Sequence, residues 1–131
     1  MLMAQIKIYG LETHLAPIQA KLSDVLHGCV MEALHYPQNK RAHRFIKLQE
    51  EDFYYPEGRS TKYTIIEISM FEGRSIEAKK ALIYLIFERF EAQLGITPTD
   101  VEITIFETPR HDWGIRGTTG DELELNYKVE V

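Results

Sequence analysis

The chain reads as an α+β domain: two copies of a β-α-β unit, forming a four-stranded mixed sheet with two helices on one face. Three observations predict this. The stretch YTIIEISMFEGRSIEAKKALIYLIFERF at 63–90 is an alternating apolar strand, a glycine turn and an amphipathic helix. The same plan occurs near the N-terminus. Both helices are followed by a proline a few residues beyond the helix end, then a strand, an acidic residue and aromatics, with about sixty residues between the copies.

Residues 4–9, AQIKIY, alternate as a short strand, with Ile6 and Ile8 on one face and Gln5, Lys7 and Tyr9 on the other. Thr13 is placed to cap the helix that follows. Pro17 fits only its first turn, because proline has no N–H to donate deeper in a helix. Leu15, Ile18, Leu22, Val25, Leu26, Cys29, Val30, Ala33 and Leu34 recur at spacings of three and four, which predicts a buried stripe running to about Leu34. Pro37 excludes continuation. Residues 43–49, HRFIKLQ, form the second strand, with Phe45 and Lys47 on one face and Arg44, Ile46 and Leu48 on the other. Phe53, Tyr54 and Tyr55 lie in a loop and read as packing anchors, within the loop or between subunits.

In the second copy, Ile66, Ile68 and Met70 share one strand face, and Tyr63, Ile65, Glu67, Ser69 and Phe71 share the other. Ser75 caps the next helix and Glu77 lies in its favourable first turn. Ile76, Leu82, Ile83, Ile86, Phe87, Phe90 and Leu94 form its stripe, and Gly95 is its C-cap. Residues 101–106, VEITIF, form the fourth strand. The last segment, 125–131, has the pattern of a further strand that completes a sheet. One domain, 1–131, is expected, with repeats at about 4–55 and 62–113 and a tail at about 121–131. Two right-handed crossovers place both helices on one side. The other face carries Tyr63, Ile65 and Phe71, too apolar for bulk water, so self-association is expected to cover it. A ferredoxin-like domain has the same element order and stays open at this point.

Composition narrows function. The 131 residues carry 15 Lys+Arg against 20 Asp+Glu, a net charge of -5, which argues against broad binding to nucleic acid or anionic membrane. No apolar run reaches the ~18 residues of a membrane span, and no signal-peptide core precedes the first strand. A cytoplasmic protein is expected. The single cysteine, Cys29, lies in an apolar stripe and reads as a buried hydrophobe. The five histidines show no metal-binding spacing such as HExxH. The glycines at 114–120 do not lie between a strand and a helix as a phosphate loop requires. No cofactor is therefore expected.

Several short segments, in this order and spacing, resemble the tautomerase superfamily: AQIKI, YTIIEI, GRS before the second helix and LGITPTDVEITIFE. FYYP, DWGIRG and TGDELELNYKV resemble its longer-chain branch, which includes malonate semialdehyde decarboxylase. The resemblance implies a homotrimer of MIF-like fold. It implies a small keto or enol carboxylic acid as ligand, arginines that bind its carboxylate, and an N-terminal proline whose secondary amine transfers the proton. Aligned on the first strand, the proline position falls on Leu2; aligned through Tyr9-Gly10, it falls on Met1. An α-amino group has a reference pKa near ~8 and is the substitute base at either position. The resemblance matches a pair of arginines to Glu72 and Arg74, and an aspartate to Lys40. It leaves Arg74 as the carboxylate fork and brings Arg116, His27, Lys40 and Trp113 to the pocket. His43, Arg44, Arg59 and His111 are further candidates for its rim. The expected reading is proton transfer on a keto or enol acid. Its alternative is an inactive trimer that keeps the scaffold for binding or assembly.

Overall fold

A computed structural model describes residues 4–123. The main sheet consists of β1 (Ala4–Leu11), β2 (His43–Leu48), β3 (Thr64–Phe71) and β4 (Val101–Thr108), in the order β2-β1-β3-β4. β1 pairs in parallel with β2, β3 in parallel with β4, and the two halves meet antiparallel at β1 and β3, with Ile6 opposite Ile68. Helices α1 (Glu12–Leu34) and α2 (Ile76–Arg89) are the two crossovers. This is the duplicated β-α-β architecture the sequence predicts. A small hairpin, β5 (Gly114–Ile115) and β6 (Thr118–Thr119), follows β4 and has no counterpart in the sequence reading. The strand expected at 125–131 lies outside the described residues.

Alternation fixes which face is covered. Ile6 and Ile8 of β1, and Ile66, Ile68 and Met70 of β3, are buried against Leu15, Leu22, Leu26 and Leu34 of α1 and Leu82 and Ile86 of α2. Each fully buried aliphatic side chain contributes about 1.5–3 kcal/mol of transfer free energy. The opposite face carries Gln5, Lys7 and Tyr9 of β1 beside Ile65, Glu67 and Ser69 of β3. Polar cross-strand pairs organise it: the Tyr9 hydroxyl donates to Glu67 Oε1 at 2.7 Å, and Arg44 Nη2 donates to Gln5 Oε1 at 2.8 Å. Phe106 of β4 stays 47% exposed there.

Four expectations change. α1 starts at Glu12 with Leu11 as N-cap and no side-chain cap, so Thr13 is inside the helix and Pro17 lies in its second turn, where the amide bond to the carbonyl four residues back is lost. Tyr63 precedes β3 and is buried, because Phe53 and Tyr55 fold back onto its ring at centroid distances of 5.8 and 5.6 Å. Tyr54, between them, is exposed. Phe71 is also buried, since the chain after β4 returns over it. Ile76 is 64% exposed: it opens α2 beyond the sheet's end and the periodic stripe overshoots. The N-cap of α2 is as expected, with the Ser75 hydroxyl accepting from the Ala78 amide at 3.1 Å. Gly95 has a φ of 68° after a π-helical turn, Phe90–Leu94.

Candidate functional site

Of the sequence-predicted residues within the described chain, His27, Lys40, Arg74, Trp113 and Arg116 lie toward the end of the sheet where β1 begins and β3 finishes, divided between its two sides, whereas Arg59 stacks over Tyr63 at the other end, where β3 begins. With the order β2-β1-β3-β4, the outer strands are three spacings apart, roughly 14 Å. His27 and Lys40 lie on the β2 side. Arg74, Trp113 and Arg116 lie on the β4 side. Met1 and Leu2 lie outside the described residues.

On the β4 side, Arg74 follows Gly73 (φ 130°) in the turn from β3 to α2 and is only 5% exposed. Its guanidinium is planar and permanently charged, and the turn holds it largely away from bulk water. Trp113 is half-buried and meets Phe71 edge to face at 4.9 Å. Arg116 is exposed on the β5–β6 turn with a φ of 55°. Glu72 is exposed, and its amide donates to the Thr108 carbonyl at 3.0 Å. The buried Arg74 and the exposed Arg116 thus occupy different environments.

On the β2 side, the amide of Ala4 donates to the Tyr36 hydroxyl at 3.2 Å. His27 is 1% exposed, and its Nε2 bonds the Gln38 carbonyl at 2.8 Å. That pairing fixes the ring across the turn after α1. It also meets Tyr36 and His43 edge to face at 6.3 and 6.0 Å. Lys40 is half-buried, with its amide bonded to the Pro37 carbonyl at 3.2 Å. A cavity of about 10 Å³ separates Ala4 and Ile6 from His27, Tyr36, Lys40 and His43. It is too small for an organic acid.

The larger opening is a groove of about 590 Å³ between α1 and the outer edge of β2, which among the described residues pairs only with β1. Its polar end joins Ser23, Asp24, Arg41 and His43. Ser23 Oγ is 2.7 Å from His43 Nδ1, Arg41 Nη1 is 2.7 Å from Asp24 Oδ1, and the same Nη1 is 3.3 Å from Ser23 Oγ. Burial and the adjacent His27 and Arg41 push the His43 imidazole down to about 4, so it is neutral near pH 7. The sequence reading placed His43 at a pocket rim and passed over Ser23 and Arg41. Ser23 lies one helical turn before His27, on the α1 face toward β2, and that spacing is the signal that was available. Among the described residues, no group of three His, Cys, Asp or Glu side chains is placed to hold a metal ion.

A family described as tautomerase enzyme matches residues 40–116. The chain belongs to this tautomerase family. It is 37% identical over 57 residues to 2-hydroxymuconate tautomerase of Comamonas testosteroni, covering 44% of this chain and 90% of that protein. It is 31% identical over 98 residues to the probable tautomerase YrdN of Bacillus subtilis, covering 71% of this chain and 75% of that protein. Among solved structures, malonate semialdehyde decarboxylase inhibited by 3-bromopropiolate superposes with a TM-score of 0.70 at 26% identity, covering 84% of this chain and 87% of that one. Native fused 4-OT superposes with a TM-score of 0.81 at 21% identity, covering 91% and 98%, and shows the shared fold. The tautomerase-like, MIF-type fold expected from the sequence is therefore the fold of this protein, and the ferredoxin-like alternative is set aside. Among the described residues, no helix is long and apolar enough to cross a membrane.

Proposed function

We propose that this tautomerase-family chain is a single-domain binding or assembly module, self-associating as a homotrimer, without proline-type catalysis. The observation that supports this is the start of β1. Met1 and Leu2 stand where the family's proline is expected, and the strand begins at a buried Ala4 whose amide is bonded to Tyr36. At Met1 or Leu2 a terminal base would be a primary amine in place of the secondary one. The open sheet face, with Ile46, Tyr9 and Ile65 in one cross-strand row and Phe106 nearby, supports self-association. Fused 4-OT is described as a symmetric or asymmetric trimer.

A second reading keeps proton transfer on a small keto or enol carboxylic acid. It is favoured by the likeness to 2-hydroxymuconate tautomerase. There the terminal amine of Met1 or Leu2 is the base and Arg74 the carboxylate fork, with Arg116, His27, Lys40 and Trp113 around the ligand. Neither reading needs a cofactor, and both suit the cytoplasm.

One experiment separates them. The protein is sized by sedimentation velocity and then assayed for ketonisation of 2-hydroxymuconate and phenylpyruvate, with small carboxylates screened by thermal shift. The assembly reading expects three times the chain mass and turnover no faster than buffer. Turnover that falls at least tenfold in Arg74→Ala, with the fold intact, transfers the conclusion to the second reading. A monomer removes both.

A further inference from the structure

We infer that Ser23 is an acyl-accepting nucleophile with His43 as its general base, in a groove that takes small carboxylic esters. The site stands on its own side chains and uses neither the N-terminus nor Arg74.

The geometry assigns each role. Ser23 Oγ accepts a hydrogen bond from Arg41 Nη1 at 3.3 Å and lies 2.7 Å from His43 Nδ1, so its proton can be directed at that nitrogen. In this assignment Nδ1 carries the lone pair; burial, His27 and Arg41 keep the imidazole neutral near pH 7, and a value near 4 makes it a weak base. Arg41 is paired with Asp24 at 2.7 Å on the exposed rim, and its guanidinium faces the hydroxyl oxygen. Serine and base within hydrogen-bond reach, beside a cation that meets developing negative charge, are the parts of an activated nucleophile. The dyad opens onto the groove of about 590 Å³, whose floor is the small residues Ala16 and Ala20 and whose wall is Phe45. A short apolar acyl group fits that lining, with its carbonyl toward Arg41.

The chemistry balances without a co-reactant other than water. Oγ bonds the ester carbonyl carbon as its proton passes to His43 Nδ1. The carbonyl π pair moves to oxygen, opposite the Arg41 guanidinium. Collapse re-forms the carbonyl and breaks the bond to the leaving alkoxide, which takes the proton from Nδ1. Water repeats the sequence on the acyl-serine, releasing the carboxylic acid and restoring Ser23.

The test treats the intact protein with an alkyl fluorophosphonate, in which an O–P bond forms, the P–F bond breaks, and the serine proton leaves through His43. Peptide mass mapping then locates the adduct. The expected result is one adduct on Ser23, none in Ser23→Ala, and labelling slowed by about two orders of magnitude in His43→Gln. Ser75→Ala should label at the native rate. Because Ser23→Ala could lose the groove by misfolding, each variant's thermal transition is recorded, and the His43→Gln rate is compared only in folded protein. With p-nitrophenyl acetate, p-nitrophenolate release should show the same order among variants. No adduct on Ser23, an adduct on another serine, or an unchanged rate in folded His43→Gln overturns the assignment. Both readings of the family site stand or fall separately, since their sizing and ketonisation assays do not involve Ser23.

Discussion

Asp100 accepts two hydrogen bonds from Ser60, from its amide at 2.7 Å and from its hydroxyl at 2.6 Å. The pair bridges forty residues and ties the aromatic loop to the turn that launches β4. Asp100 is 7% exposed, so water does not readily replace these bonds. Asp100→Ala should lower the unfolding free energy by about 1–3 kcal/mol by leaving a loop amide without its acceptor. Asp100→Asn, which keeps a carbonyl oxygen, should lose less. Urea denaturation decides this, and equal midpoints for Ala and wild type would show that the latch is idle.

Gly120 is required by space. A Cβ there would be 2.7 Å from the Arg110 carbonyl oxygen and 2.7 Å from Phe71 Cζ. The carbonyl belongs to backbone, and Phe71 is held between the core and Trp113. Gly120→Ala should therefore cost about 1–3 kcal/mol and alter the emission of Trp113, whose carbonyl accepts from the Gly120 amide at 2.7 Å. An unchanged melting temperature would contradict this packing.

Stability should fall in mild acid, and His43 should account for part of the fall. Its folded value is held near 4 by burial, then by His27 and Arg41, below an ordinary value of 6.5. The unfolded chain binds the extra proton between those limits, so the contribution is complete above about 6.5 and is lost as pH drops toward 4. Lys40, Asp24 and the Ser23 hydroxyl complete the polar surroundings. Calorimetry of wild type and His43→Gln between pH 7 and 4.5 should show a steeper decline in wild type. Parallel declines would place the acid sensitivity elsewhere.

Burial pushes the Cys29 thiol up to about 11, and the side chain has no exposed surface. Reaction with an aromatic disulfide reagent should be negligible in native protein and fast in denaturant. Rapid native labelling would mean that α1 opens locally.

Self-association through the open face predicts a charge effect. Lysine at Ile65 or Phe106 would stay solvated in a monomer but would be desolvated in an assembly. Each substitution should shift sedimentation toward the monomer by disfavouring assembly, with little change in helical circular dichroism. An unchanged mass would exclude this face.

Much of the fold was legible because period-2 and period-3.6 patterns record which side of each element is dry. Ile66, Ile68, Met70 and Leu22, Leu26, Cys29 show this directly. Ser75 and Gly95 were legible for local reasons, a side-chain oxygen and a tolerance of positive φ. Tyr63, Phe71 and Ile76 were misplaced because each lies at an element's end, where a returning loop or the limit of the sheet decides burial. The candidate site was read less well. Arg74 and Arg116 are equivalent as letters, but one turn buries the first and a hairpin exposes the second. Ser23 and Arg41 become partners only once β2 lies beside α1, an adjacency that neither segment encodes by itself.

The antiparallel meeting of β1 and β3 gives the chain an approximate dyad through its middle, between Lys7 and Glu67. Under that dyad the beginning of β1 is equivalent to the beginning of β3, at the opposite end of the sheet, and the helix dipoles run in opposite directions. The nitrogens of Ala4 and Thr64 are both peptide amides, and the residues before Thr64 are bonded on into the first unit. Joining two units in one polypeptide removes a terminal amine from half of the symmetry-related positions, so amine chemistry at the second position is excluded by covalent connection alone. Its surroundings, with Thr64 Oγ1 3.1 Å from His14 Nε2, are left to serve packing.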